Sequence, residues 1–231
     1  MKKFFVILFL FVFLNTFAIA NIQSIDKELN SCLNGLTDNI SMADCTLKAS
    51  KNAELEIIQI INKNKISHPD FIQNQQLWEK YKHSTKTAIN NPLERNSGTM
   101  YFLFSSNSQY NLNKNRLLFL EYFLNKQPYQ KNKYVSEQFE FCLNKNNPVK
   151  CYEAETIRLS GQISNTLKTL QTTLSDNEYS TLKDNQSDWL KYKNNTTLLL
   201  KKNITELQKA QIINIIYAER NSQLFALSRQ Q

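Results

Sequence analysis

One nine-residue pattern occurs twice in this chain, and it constrains the fold more than any other feature of the sequence. The pattern N-Q-x-x-W-x-K-Y-K covers residues 74–82 and returns at residues 185–193, an offset of 111 positions. The two copies contain both tryptophans of the chain. Self-similarity at a fixed offset indicates that one structural unit has been duplicated.

The cysteines repeat in step with this pattern. Cys32 and Cys142 each begin a Cys-Leu-Asn triplet, and a second cysteine follows in each unit, Cys45 and Cys151 respectively. The duplication therefore gives two units of about 100 residues, which is an ordinary domain size.

The boundaries of the units follow from these repeats. We place the first unit at residues 24–125 and the second at residues 134–231. The segment between them, residues 126–133, is rich in Lys and Gln and is predicted to be a polar linker.

The first 20 residues have the layout of a secretory signal peptide. Two lysines precede an unbroken apolar run at residues 4–14, and residues 18–20 spell A-I-A, so we predict cleavage near Ala20. An uncleaved membrane anchor is the alternative, but the apolar run is shorter than the roughly 20 residues that a span requires. The mature chain is therefore predicted to be periplasmic or secreted, with no transmembrane segment.

The charge of the mature chain is positive. The sequence has 28 Lys and Arg and 20 Asp and Glu, and removing the two signal-peptide lysines leaves 26 against 20, a net charge of +6. Such a balance favours anionic partners, and export argues for cell-wall polymers or lipid headgroups rather than nucleic acid. The simpler interpretation is a solvated lysine-rich surface.

Cysteines in an exported chain are expected to be oxidised. Four cysteines allow three pairings, and the repeat selects Cys32–Cys45 and Cys142–Cys151, which keeps each bond within its unit. Each bond would close a loop of about ten residues, and in the chain-entropy model this stabilises the fold by about 3 kcal/mol. A zinc site is the competing interpretation, but it requires paired C-x2–4-C spacing, which the sequence lacks.

Apolar residues in both units follow a helical period. After the second cysteine of the second unit they step by four, four, three and four positions, which places them on one helical face. These residues are Leu159, Ile163, Leu167, Leu170 and Leu174. All four prolines fall at predicted helix breaks, and Asn90–Pro92 is predicted to end the first tryptophan helix. The predicted fold class is all-α, with two tandem homologous antiparallel helical bundles, each with one N-terminal short-loop disulfide.

The repeated motif places a glutamine, a tryptophan and a tyrosine on one helical face of each unit. These residues are Gln75, Trp78 and Tyr81 in the first unit and Gln186, Trp189 and Tyr192 in the second. We predict that the aromatic residues anchor the two cores and that each glutamine bonds an indole N–H or nearby backbone. The alternative is an exposed aromatic patch that binds a partner.

The sequence contains no recognisable catalytic motif. Three glycines in the whole chain argue against a phosphate-binding loop. The two histidines, His68 and His83, have no convergent partners in the pattern and are interpreted as surface residues. We therefore predict a protein that is not an enzyme and that has no metal site and no cofactor.

The order of these residues resembles the N-terminal domain of LprI-type lysozyme inhibitors, a small helical module of bacterial envelope proteins. The shared order is a cysteine pair, a helix, Q-x-x-W-x-x-Y/F, and a third helix with Arg and Leu. The resemblance rests on Cys32, Cys45, Gln75, Trp78, Tyr81 and Arg116 in the first unit and on Cys142, Cys151, Gln186, Trp189, Tyr192 and Arg220 in the second. Family members often carry a second cysteine pair, which this chain lacks, so each unit is expected to be less braced.

The resemblance implies a protein partner, a lysozyme or a related hydrolase. Common lysozymes are basic, and an inhibitor gains association rate and specificity from opposite charge. The densest acidic group is Asp176, Glu178, Asp184 and Asp188. Its other interpretation is a helix N-terminus stabilised by acidic residues. The alternative function is an envelope-associated structural or adaptor module that binds anionic cell-wall or membrane material through its basic surface.

The pairing of the cysteines can be tested by mass spectrometry of a digest prepared without reduction. We expect one peptide pair linked through Cys32 and Cys45 and another linked through Cys142 and Cys151, because the repeat places each pair within its own unit. A linkage between the units would contradict the two-unit organisation.

Overall fold

The computed structural model describes residues 22–64, 68–95, 98–125, 137–201 and 204–229, and every regular element in these ranges is helical. The predicted all-α class is therefore confirmed. The predicted signal peptide, residues 1–20, and the predicted linker, residues 126–133, lie outside the described residues. No helix in the described ranges is long and apolar enough to cross a membrane.

The two halves follow the same helix order, except for one additional short helix in the first half. The first half contains α1 (Ile22–Leu33), α2 (Asn39–Lys63), α3 (Pro69–Thr85), α4 (Asn91–Arg95) and α5 (Thr99–Asn125). The second half contains α6 (Glu137–Lys145), α7 (Pro148–Thr173), α8 (Asp176–Leu200) and α9 (Glu206–Ser228). Helices α3 and α8 carry the repeated motif and are called the tryptophan helices below.

The helix starts follow from local sequence chemistry. Asp38 accepts a hydrogen bond from the backbone N–H of Ser41 at 2.8 Å, which caps α2. Ser175 and Glu178 form a reciprocal capping box at the start of α8. Pro69 and Pro148 begin α3 and α7, where the missing N–H of proline leaves no intrahelical bond unmade.

The prediction that Asn90–Pro92 ends the first tryptophan helix is wrong. The chain continues from α3 through a π-helical turn, Lys86–Asn90, directly into α4. The backbone N–H of Asn91 donates to the carbonyl of Lys86, five residues back. The wider turn lets the helix absorb Pro92, which has no N–H to donate and whose ring would crowd an ordinary α-helical turn. In the second half, α8 runs from Asp176 to Leu200 as one uninterrupted helix without such a turn.

Both predicted disulfides are present. Cys32–Cys45 joins α1 to α2, and Cys142–Cys151 joins α6 to α7. Each bond therefore holds a short helix against the long helix that follows it, although these short helices were not predicted from the sequence.

The two halves share one hydrophobic core. Within each half the second helix packs on the last, α2 on α5 and α7 on α9. The tryptophan helices pack most extensively on each other, and buried apolar residues of both halves form a single cluster. The core is therefore continuous from the first half into the second.

Reciprocal hydrogen bonds show how the tryptophan helices pair. Asn74 donates to the hydroxyl of Thr196 at 2.8 Å, and Asn185 donates to the hydroxyl of Thr85 at 3.0 Å. Each asparagine and each threonine is 111 positions from its counterpart, so the duplication supplies both halves of the contact. Residue 74 pairs with residue 196 and residue 85 pairs with residue 185, so residue numbers increase along α3 as they decrease along the facing α8. The two helices therefore run antiparallel and are related by an approximate twofold axis. We call this contact between α3 and α8 the junction.

A shared core predicts that the two halves unfold together. In the variants Trp78→Phe and Trp189→Phe one tryptophan remains, and we expect its fluorescence to follow the same urea transition as far-UV circular dichroism. Leu117 lies in the first half. Adding Leu117→Ala to Trp78→Phe should lower the free energy of unfolding that Trp189 fluorescence reports by about 2–5 kcal/mol. If the Trp189 signal does not respond to Leu117→Ala, the halves are independent folding units.

Candidate functional site

Two arginines lie at the centre of the molecule, one on the last long helix of each half. Arg116 on α5 is 1% exposed and Arg220 on α9 is fully buried. Burial lowers the pKa of both guanidinium groups, because removing them from water disfavours the charged form. Such groups are tolerated inside a protein only when their N–H groups find acceptors.

The acceptors for Arg116 come from the repeated motif. Its Nη1 donates to Asn74 at 2.7 Å, and its Nε and Nη2 donate to the side-chain oxygen of Gln75 at 3.0 and 2.6 Å. The guanidinium carbon also lies 5.5 Å from the ring centroid of Trp78 and 4.8 Å from that of Phe119. Amide oxygens satisfy the edge of the guanidinium group while aromatic rings pack against its face.

The second half repeats this arrangement. Arg220 donates from Nη1 to Asn185 at 2.6 Å and to Gln223 at 3.4 Å, and from Nε to Gln186 at 2.8 Å. Its Nη2 and the indole N–H of Trp189 are buried without a hydrogen-bond partner among the described residues. The repeated glutamines therefore accept from the arginines, and the predicted bond between Gln186 and its indole N–H is not formed.

The arginine clusters continue into the junction. Asn74 accepts from Arg116 and donates to Thr196, and Asn185 accepts from Arg220 and donates to Thr85. Each buried arginine is thus joined to the other half through one asparagine. The rings of Tyr81 and Tyr192 stack between the halves with centroids 5.8 Å apart. The structure places both tryptophans and both tyrosines of the repeated motif in the core.

One residue breaks the symmetry of this centre. Asn115 precedes Arg116, whereas Glu219 occupies the equivalent place before Arg220. The carboxylate of Glu219 accepts from Asn115 at 2.7 Å and lies 3.3 Å from the hydroxyl of Tyr81. A cavity of about 20 Å³, enough for one water molecule, adjoins it. The centre is therefore a polar joint between helices, and its cavity is too small for an organic substrate.

The predicted acidic residues do not form a single surface cluster. Asp176 and Asp184 are exposed, and Glu178 is half-buried in the capping box of α8. Asp188 is buried and forms an ion pair with Lys80 of the first half, at 3.1 Å. Asp188 is thus part of the contact between the halves, which leaves the other three residues at the outer surface.

A larger groove lies beside Glu178. It has a volume of about 260 Å³ and forms where the π-helical turn meets the start of α8 and the end of α9. Its lining residues are Thr87, Ala88, Asn91, Pro92, Leu174, Asn177, Glu178, Thr181 and Leu227. This groove was not predicted, because the turn that forms one of its walls was expected to be a helix end.

The histidines lie apart from both features. His68 and His83 are exposed, and His68 lies 4.0 Å from Asp70 of the same helix start. In the described part of the chain, no group of three His, Cys, Asp or Glu side chains is placed to hold a metal ion.

Comparison with known proteins adds evidence on the fold alone. No family model and no curated protein matches the chain. A crystal structure of an uncharacterised protein from Burkholderia thailandensis is similar, with a TM-score of 0.61 and 16% identity. The match covers 86% of this chain and 95% of the other. At that identity the similarity supports a shared arrangement of helices.

Several residues of the centre were not singled out from the sequence. Asn74 and Asn185 are the first residues of the repeated pattern, and Thr85 and Thr196 repeat at the same offset of 111. The signal was therefore present, but it could not be separated from the rest of the motif without knowing that the two copies face each other. Glu219 has no counterpart in the first half, so the repeat carried no signal for it.

The buried arginines should respond differently to a conservative change. Arg116→Lys is expected to lower the free energy of unfolding by about 3 kcal/mol, because one ammonium group cannot match the planar geometry that bonds Asn74 and Gln75. Arg220→Lys should lower the free energy of unfolding by less, since Nη2 of Arg220 has no hydrogen-bond partner among the described residues. Urea denaturation checks both variants, with Arg158→Lys on the surface as the control, expected within about 0.5 kcal/mol of the wild type. If Arg116→Lys lowers the free energy of unfolding no more than Arg158→Lys does, the role assigned to the amide acceptors is contradicted.

Proposed function

We propose that this chain is an exported, non-enzymatic binding protein whose partner is a lysozyme or a related cell-wall hydrolase. The proposal rests on the resemblance to LprI-type lysozyme inhibitors. Each half contains one disulfide bond between cysteines that are close in the sequence. Such bonds persist in oxidising compartments outside the cytoplasm.

The observation that carries the proposal is the matched core of the two halves. The glutamine, tryptophan and arginine on which the resemblance rests meet in the first half, where Gln75 accepts from Arg116 beside Trp78. In the second half Gln186 accepts from Arg220 in the same way. These residues supply a framework, and the partner would contact the outer surface that the framework holds in place.

The groove beside α8 is the part of that surface that best suits a basic partner. Glu178 lies in its lining, and Asp176 and Asp184 are exposed on the same helix. Opposite charge at this place would raise the association rate even though the chain as a whole is positive, because short-range contacts are screened least.

The experiment is a lysozyme inhibition titration with the mature chain, residues 21–231, and a soluble neutral chito-oligosaccharide as substrate. A neutral substrate prevents a basic protein from imitating inhibition by coating anionic cell walls. We expect stoichiometric inhibition that persists at about 150 mM salt, where charges more than about 8 Å apart are screened.

Paired variants locate the contact. Replacing Asp176 and Asp184 together by Asn should weaken inhibition about tenfold or more, because a favourable charge contact at an interface contributes on the order of 1–2 kcal/mol. Glu153→Gln, an exposed carboxylate on α7, is the matched control and should leave inhibition unchanged. Equal inhibition by all variants would move the contact away from α8, and no inhibition at any concentration would reject the lysozyme proposal.

A second candidate function is binding to anionic envelope material. The net charge of +6 favours it, and Lys86 of the π-helical turn and Lys183 and Lys191 of α8 are exposed. Cosedimentation with purified cell walls or anionic vesicles distinguishes the two, because binding through dispersed lysines should fade as salt rises from about 50 to about 300 mM.

A further inference from the structure

A carboxylate on α5 meets the first residue of α1. The backbone N–H of Ile22, a residue that is 2% exposed, donates to Oε1 of Glu121 at 3.0 Å. One turn further along α1, Asp26 forms an ion pair with Lys114 at 2.7 Å and accepts from the hydroxyl of Tyr110. Residue numbers therefore rise along α1 as they fall along α5, and Glu121 lies at the N-terminal end of the packed helix α1.

The Glu121 carboxylate has no cation beside it in the described part of the chain. Its one hydrogen-bond partner there is the neutral N–H of Ile22. The carboxylate is half-buried, and burial raises its pKa, whereas the bond from Ile22 lowers it. The residues three and four positions away along α5 are uncharged: Leu117, Leu118, Leu124 and Asn125. A carboxylate accepts several hydrogen bonds, so this one has the capacity for a cationic donor.

Removal of the predicted signal peptide would create a cation at this place. Cleavage after Ala20 leaves Asn21 as the first residue, and a free α-amino group is largely protonated at neutral pH. Nitrogens of consecutive residues are about 3–4 Å apart along any chain, so this ammonium group would lie within about 7 Å of Oε1. Rotation of the glutamate side chain can shorten that distance to direct contact. This step rests on the export proposed above.

We propose that Glu121 is the binding site for the α-ammonium group that signal-peptide removal creates on Asn21, and that this ion pair fastens α1 to α5. Before cleavage the same nitrogen is a neutral amide and carries no charge. A positive charge at a helix N-terminus is unfavourable, and α1 has no acidic residue in its first turn to offset it. Glu121 supplies the missing negative charge from the neighbouring helix, so processing completes the packing of α1.

The reactivity of the α-amino group tests the ion pair. The full chain is exported through its own signal peptide, and N-terminal sequencing should give Asn21 as the first residue. Acylation of that amine at pH 7 is then followed by mass spectrometry. In Glu121→Gln the amine should react about threefold faster or more, because only the unprotonated amine reacts and a nearby carboxylate favours the protonated form. Glu153→Gln, on the exposed face of α7, should react as the wild type does. Equal rates in Glu121→Gln and the wild type would overturn the ion pair.

A change of position at constant charge tests the contribution to stability. Adding one Gly before Asn21 moves the ammonium group away from Glu121 and should lower the ratio of folded to unfolded wild type about two- to fivefold in urea. The same addition should change this ratio little in Glu121→Gln, whose side-chain oxygen still accepts from Ile22. A cap that serves only the Ile22 N–H predicts no effect in either chain. If Glu121→Gln does not fold, an unchanged ratio in the extended wild type overturns the ion pair by itself.

The outcomes separate this ion pair from the proposed function. A first residue other than Asn21 would overturn the ion pair, and an uncleaved chain would also overturn the proposed export. An exported chain that begins at Asn21 but shows neither effect would overturn the ion pair alone. Lysozyme inhibition is measured independently of all three.

Discussion

The structure depends on giving two buried guanidinium groups enough hydrogen-bond acceptors. Arg116 and Arg220 carry charges into the centre of a small helical protein, where an unpaired charge would cost several kcal/mol. Neutral amide oxygens of Asn74 and Gln75, and of their counterparts in the second half, accept these donors. Because neighbouring residues of one tryptophan helix supply both acceptors, the arginine fixes the position of that helix against the last helix of its half.

Duplication turns this local arrangement into the joint of the whole molecule. Each asparagine that accepts from an arginine also donates to a threonine of the other half, so one residue type satisfies two requirements at once. Two copies of the same helix can meet in this way only with antiparallel twofold geometry, in which each supplies what the other needs. The halves then bury their apolar faces in one core, which explains why α3 packs mainly on α8.

The departures from symmetry mark the places where the halves have acquired different properties. The π-helical turn before Pro92 occurs in the first half and forms a wall of the groove beside Glu178. Glu219 stands where the first half has Asn115, and it brings a titratable group into a centre that is otherwise neutral amides, hydroxyls and permanent cations. The matched residues thus maintain the framework, and the unmatched ones give the two halves different local structure.

The sequence by itself determined the helical class, the duplication and the disulfide pairing, because helical periodicity and cysteine spacing are local properties that survive in any packing. Through the family resemblance it also grouped Gln75, Trp78, Arg116 and their counterparts. Only the tertiary structure decided that Gln75 bonds an arginine rather than an indole N–H, that Asp188 is buried against Lys80, and that the helix continues through Pro92. Those outcomes depend on which helices become neighbours. That choice is made by the combined burial of two distant segments, and no single stretch of sequence encodes it.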